Sequence, residues 1–504
     1  MTYVSELKAF AETAETRTYD LHPLVGGCEF FVVSHYYYFE NAGGDAGFMP
    51  TGLLEESFCE LLREYPLMAG TMRTRRRGPP QITVDRDNLN LPDFRETQCD
   101  VEFSQAKAAK FAPSVLPGGL IVANRYSAHS NRRPEKLARA HVVRFKGGSG
   151  VLVYFGISHT LADGHAYVMV VRRWAELCAH LARTGSLADK PGTPLCFDAA
   201  AVEARMPAPT PPPGAVVSRT FMKGGLVTWL LSWLSLRTQS RIMRRMCGDM
   251  ALDSHFYFIS RDTVDEMHKS IRAVLPEDQR VSSNDVLSAL YCAVVAQCVG
   301  RNAPAAAAAA GDGGAASAAK DNKSKDAPSA SKKPELLEYV LPVDVRPRIK
   351  ALSEYGFCGS AVLIYRVVVP LAELQGEVTP ERLAVAATAV RRGTESVDVG
   401  YIQAYVKALA TEPGAGLRPF VYPAGSAATL VATNHSRMGH YKVDFGWGAP
   451  TWANPVEDSM APLAYMYPAP PGRDGHVLHL MTTKDLQDRM QQVPFWRDNV
   501  EFIR

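Results

Sequence analysis

The chain reads as a mixed α and β protein with room for two or three domains, and two observations carry this. At 504 residues and 46% hydrophobic composition it can bury a substantial core. A β-branched apolar run then gives way directly to a helical pattern in VLVYFGISHTLADGHAYVMVVRRWAEL. Val151 to Ile157 has the composition of a buried strand, and helical periodicity begins at Gly164. Asp163 and Gly164 suit a helix start. This turn delivers His159 to the edge of the core, where an imidazole can accept a proton near neutral pH.

The remaining elements follow in order. FFVVSHYYYF (Phe30 to Phe39) reads as a strand, and its alternation lets only some of His35, Tyr36, Tyr37 and Tyr38 share a face. RTRRRG (Arg73 to Gly78) is a solvated turn before a strand starting near Gln81. GGSG (Gly147 to Gly150) is a turn ahead of the His159 strand and does not match a GxSxG nucleophile elbow. MPAPTPPPG (Met206 to Gly214) cannot continue a helix or central strand, because proline lacks the donor and fixes φ. It predicts a linker over 207–220 between an N-terminal unit, 1–206, and a C-terminal unit, 221–504. Within 224–248, an apolar half with Trp229 and Trp233 precedes Arg237, Arg241, Arg244 and Arg245. A core-packing helix with a solvated basic end is the first reading. A weak membrane contact and a lid over an apolar pocket are the alternatives. The segment 302–334, rich in Ala, Gly, Ser, Lys and Asp, has almost nothing to bury and reads as a disordered insertion.

Composition narrows the function classes. A net charge of +3 is too small to imply a nucleic-acid partner. Nine scattered cysteines without CxxC pairs fit a reducing compartment better than a disulfide framework. The polar N-terminus lacks the apolar core of a signal peptide, no run reaches the roughly 18 apolar residues of a membrane span, and EFIR is no peroxisomal tail. The expected location is cytoplasmic.

HTLADG (His159 to Gly164) followed far downstream by TNHSRMGHYKVDFGWGAP (Thr433 to Pro450) resembles the BAHD acyl-CoA-dependent acyltransferases. Landmarks between them agree in order. LLREYPLMAGTMR (Leu61 to Arg73) looks like the family's YPLAGR helix end, and VSSNDVLSALYCAVV (Val281 to Val295) like the helix opening its second half. LPVDVRPRI (Leu341 to Ile349) and EYGFCGSAV (Glu354 to Val362) resemble VDxRxR and GYFGN. Ser360 replaces the asparagine of GYFGN, His435 stands where many relatives have tryptophan, and Ala449 where lysine is usual. These departures suggest a divergent, fungal-type branch similar to trichothecene acetyltransferases.

The resemblance implies an α/β fold of two chloramphenicol-acetyltransferase-like domains, mixed sheets flanked by helices, with a channel between them. It implies acyl transfer, first of all acetyl, from acyl-CoA as co-substrate to a hydroxyl of a small-molecule, secondary-metabolite-like alcohol or amine acceptor. No permanently bound cofactor is expected, and a monomer is. His159 would be the general base, with no covalent enzyme intermediate. Asp163 would be a structural support paired with Arg346 rather than a triad member, and Gly164 part of the same motif. A metal site from His159, Asp163 and His165 is not expected, because no further ligand completes it. Asp444, Phe445, Gly446, Trp447 and Gly448 would be structural, two glycines for tight turns and two rings for packing.

Thr433 and His435 would face substrate and the oxyanion, with a packed core histidine as the alternative for His435. Ser282 and Ser283 would meet CoA phosphates at a helix start, or act as a simple N-cap. Tyr36 and Tyr38 would line the acceptor side. Competing functions are a carrier-dependent condensation-type domain, a non-catalytic binding protein, and a membrane-surface acyltransferase for lipid-like alcohols.

Overall fold

The computed structural model describes residues 2–3, 7–25, 31–73, 75, 78–116, 135–206, 233–234, 238, 252–299, 335–411, 426–457, 459 and 462–504. The expected linker 207–220, the insertion 302–334 and nearly all of 224–248 lie outside these residues.

Among them, two large mixed sheets organise the chain. The first runs Thr2–Tyr3, Asp93–Gln98, Ala138–Arg144, Gly150–Ser158, Val32–Glu40, Trp452–Pro455 in spatial order. The second runs Val362–Pro370, Leu336–Asp344, Ser426–Asn434, Leu463–Pro468, Gly475–Thr483, Leu252–Ser260, Glu501–Phe502. Parallel pairs occur in each, Asp93–Gln98 with Ala138–Arg144 and Ser426–Asn434 with both of its neighbours. Mixed sheets with helices packed over them are the α/β class that the motifs implied.

Helix Gly164–Thr184 shows why the strand-to-helix reading succeeds. Asp163 caps it by accepting from the Ala166 N–H at 2.9 Å. Val170, Val171, Trp174, Leu177, Cys178 and Leu181 recur at helical spacing and are all buried. Gly185, left-handed at φ 69°, ends the helix by donating to the Leu181 carbonyl. The helix packs on Thr51–Glu64, and a bidentate Arg173–Glu64 pair, both bonds 2.7 Å, joins the two inside the core. The preceding strand, Gly150–Ser158, is buried at all nine positions and lies between Ala138–Arg144 and Val32–Glu40.

The two halves are not separated cleanly at the proline-rich segment. Trp452–Pro455 leaves the C-terminal half and pairs antiparallel with Val32–Glu40, Trp452 opposite Tyr38 and Asn454 opposite Tyr36. The expected 221–504 unit therefore lends a strand to the other half's sheet. A cluster containing Tyr36, Tyr38, Phe111 and Trp452 with Phe256, Phe258, Tyr467 and Val477 packs the halves together.

Candidate active site

His159 follows the last residue of the central strand, and its backbone N–H donates to the Phe31 carbonyl at 2.8 Å. The ring is partly exposed, but its Nδ1 is buried without a hydrogen-bond partner, leaving Nε2 as the nitrogen that can meet a substrate. Burial pulls its pKa below the ordinary 6.5, against the attraction of Asp163, so the imidazole is neutral at physiological pH.

Asp163 faces away from that ring. Its Oδ1 accepts from Ala166 N–H, while Oδ2 accepts from Ala361 N–H at 2.7 Å and pairs with Arg346 at 3.0 Å. Arg346 also donates to Asp344 and to the carbonyls of Phe357 and Gly359. Arg346 and two bonded backbone N–H groups hold the Asp163 carboxyl below its usual range despite burial. Tyr65 adds a third tie, donating to the carbonyls of Leu161 and Cys358 at 2.7 and 3.2 Å. Three motifs distant in sequence thus converge on one buried aspartate. His165 is exposed, with Nδ1 3.8 Å from the Asp344 carboxylate.

Thr433 lies on the strand Ser426–Asn434, opposite Tyr465, and is partly exposed. His435, just past that strand, is buried, and burial with the neighbouring His159 pushes its pKa down to about 3. A Cβ built on Gly164 would stand 2.9 Å from its Cε1 and Nε2, so the glycine of the HxxxDG turn is what admits this ring. His435 Nδ1 meets His440 Nε2 at 3.3 Å, and His440 Nδ1 meets the Tyr37 hydroxyl at 3.0 Å. His35, with both nitrogens buried and unbonded, completes a group of three histidines whose nitrogens fall within 4.8 Å. His35 stands among the alternating strand residues of the sequence reading, whereas His440 does not figure in it. The signal available was a second histidine five residues after His435.

Tyr36 and Tyr38 share one face of their strand, and His35 and Tyr37 the other. Strand alternation sends both into the apolar cluster between the halves, Tyr38 with its ring 4.7 Å from Phe111. It is His35 and Tyr37 that face the histidine group. The DFGWG residues serve packing and turn geometry: Asp444 accepts from the N–H groups of Gly446 and Gly448, both at 2.8 Å, and Phe445 lies edge-on to Trp174 at 4.9 Å. Gly446, at φ 110°, sits where a Cβ would come within 3.2 Å of the Ala179 backbone. Trp447 packs towards Phe48.

A cavity of about 450 Å³ opens beside Asn434 and Ser436, which flank His435. The helix Ser283–Val299 points its N-terminus into it, and Arg261, Arg437 and Arg473 add positive charge. Ser282 is engaged by Asp285, its hydroxyl and N–H both donating to that carboxylate, which leaves Ser283 the freer of the two serines. Arg261 pairs with Asp474 and Arg473 with Glu501. Arg437 is exposed and has no ion pair among the described residues.

Among the described residues no helix is long and apolar enough to cross a membrane. A model of the Transferase family matches residues 19–220 and 320–491. The hydroxycinnamoyl-CoA:5-hydroxyanthranilate N-hydroxycinnamoyltransferase of Avena sativa is 23% identical over 482 residues, covering 92% of each chain. TRI101 of F. graminearum, solved with ethyl coenzyme A, superposes at TM-score 0.70 with 13% identity over 97% of this chain and 100% of that one. Vinorine synthase does so at 0.59 with 14% identity over 96% and 94%. The first condensation domain of the CDA synthetase reaches 0.52 with 12% identity over 97% and 92%. The solved structures share the fold, and the match over most of its length shows that the chain belongs to the Transferase family, the BAHD acyltransferases.

Proposed function

We propose that this protein moves an acyl group, acetyl in the first instance, from a CoA thioester to a hydroxyl of a small-molecule acceptor, with His159 as general base. The observation that carries the reading is His159 itself: a neutral imidazole at the end of a buried strand, with Asp163 engaged by Arg346 instead of by the ring. His159 Nε2 takes the acceptor proton as the oxygen attacks the thioester carbonyl. The tetrahedral intermediate collapses with cleavage of the C–S bond, and the imidazolium returns the proton to the departing sulfur. Thr433 and His435 are the candidates to steady the oxyanion.

The cavity beside Asn434 suits CoA. Helix N–H groups at Ser283 and Asn284 and the unpaired Arg437 offer donors and charge to phosphates. TRI101 structures hold coenzyme A with T-2 mycotoxin or deoxynivalenol, which supports a bulky small-molecule alcohol as the acceptor class here. An amine is the second reading, favoured by the oat relative, whose name specifies nitrogen acylation. The test is CoA release by wild type and His159→Ala across acyl-CoAs with alcohol and amine panels. Acceptor-dependent release that falls about 1000-fold or more in the folded variant supports the proposal. Equal release by both proteins removes His159 from the mechanism.

A further inference from the structure

We infer that the buried chain Tyr37, His440, His435 holds His435 as the Nε2–H tautomer and so presents a fixed, neutral donor to the reacting carbonyl, with Tyr37 and His440 as positioning residues. The donor role rests on the acyl-transfer reading above; the tautomer does not.

The direction of the chain is set at Tyr37. Its hydroxyl lies 3.0 Å from His440 Nδ1, and both side chains are fully buried. A phenol is the more acidic donor of such a pair, and a neutral imidazole nitrogen is the more basic acceptor, so the O–H donates to Nδ1. Each neutral imidazole carries one N–H and one lone pair. His440, accepting at Nδ1, therefore has its proton on Nε2 and donates it to His435 Nδ1 at 3.3 Å, across rings parallel to within 7°. His435, accepting at Nδ1 in turn, has its proton on Nε2. That nitrogen lies against the first residue of the helix that follows the His159 turn, where a Cβ on Gly164 would come within 2.9 Å.

A donor of this kind needs no reorganisation as negative charge develops, and it works in a buried setting where electrostatic bonds are strong. His440 is fully buried behind His435 and acts through it. Tyr167, whose hydroxyl also meets that of Tyr37, is the competing acceptor for the Tyr37 proton, because its own O–H donates to the Phe155 carbonyl at 3.1 Å. Had Tyr37 given its proton to Tyr167, the whole chain would reverse and His435 would show substrate a lone pair. The three clustered histidines also raise the question of a bound metal. In that case the lone pairs of His435 and His440 would point at the ion instead of sharing a proton.

Nitrogen-15 NMR of histidine-labelled resting protein decides the tautomer, with His435→Gln and His440→Gln assigning the signals. The expected result is Nε2–H for both rings and no stoichiometric metal by elemental analysis. In kinetics, Tyr37→Phe should lower kcat about 10–100-fold while KM for acyl-CoA stays within about twofold. His440→Leu should do the same, and His440→Gln, which keeps an amide donor for His435 Nδ1, should recover most of that loss. An Nδ1–H signal for His435, one metal per chain, or a folded Tyr37→Phe with unchanged kcat would each overturn the inference. Absence of any acyl transfer would remove the donor role together with the proposed function, and the NMR would still decide the tautomer.

Discussion

At the scale of single residues, the proposed base sits in an environment that keeps it deprotonated. Burial lowers the His159 pKa, and the nearby Asp163 charge only partly offsets this. A general base acts as the neutral ring, so on the proposed role kcat/KM should rise with pH through the His159 pKa and be flat by neutrality. The acid limb of a pH–rate profile should then lie below the ordinary histidine value of 6.5. A midpoint above 6.5 would contradict the burial argument. Gly164 offers a second check. Its missing Cβ makes room for His435, whose ring atoms would otherwise be 2.9 Å away. Gly164→Ala should displace that ring and reduce kcat by about tenfold or more, since roughly ångström-scale misplacement has large kinetic cost. Steady-state kinetics beside a melting curve would separate this from unfolding.

At the scale of elements, Asp163 is the joint. It caps the helix Gly164–Thr184, accepts from the Ala361 N–H of the Cys358–Ala361 segment, and pairs with Arg346 after the strand Leu336–Asp344. Asp163→Ala should cost about 3–5 kcal/mol, because it strips a cap and leaves a buried guanidinium short of a carboxylate. Denaturant unfolding would measure it. The same variant should move the acid limb of activity to lower pH, because the removed charge is one that raises the His159 pKa. A catalytic triad would predict loss of the base's orientation; no hydrogen bond between Asp163 and His159 exists to be lost.

At the scale of the whole molecule, the halves are tied by exchanged structure. Trp452 pairs in the first sheet yet stacks on Phe111, with rings within 9° of parallel, and reaches Phe256 of the second sheet. Trp452→Ala should cost about 3–5 kcal/mol and loosen the contact between the halves. A lowered melting temperature and faster proteolysis would report it, whereas an unchanged melting temperature would mean the cluster contributes little. The DFGWG loop belongs to the same exchange: Phe445 comes from the C-terminal half but packs against Trp174 of the His159 helix. Its influence on activity should therefore pass through stability and helix placement.

The strand, turn and helix around His159 were legible from local patterning alone, because apolar runs, a capping aspartate and a terminal glycine act within a few residues. The ordered motifs also carried the family, and with it the pairing of residues as distant as Asp163 and Arg346. The destination of alternate strand residues was not legible. His35 to Tyr38 read as one aromatic run, and only the packing of the two halves decided that Tyr36 and Tyr38 enter the cluster with Phe256 and Phe258 while His35 and Tyr37 meet His440. Nor does any local pattern hold the bond between Tyr37 and His440, 403 positions apart. Periodicity states which residues share a side. Which side meets substrate depends on what the rest of the chain folds against it.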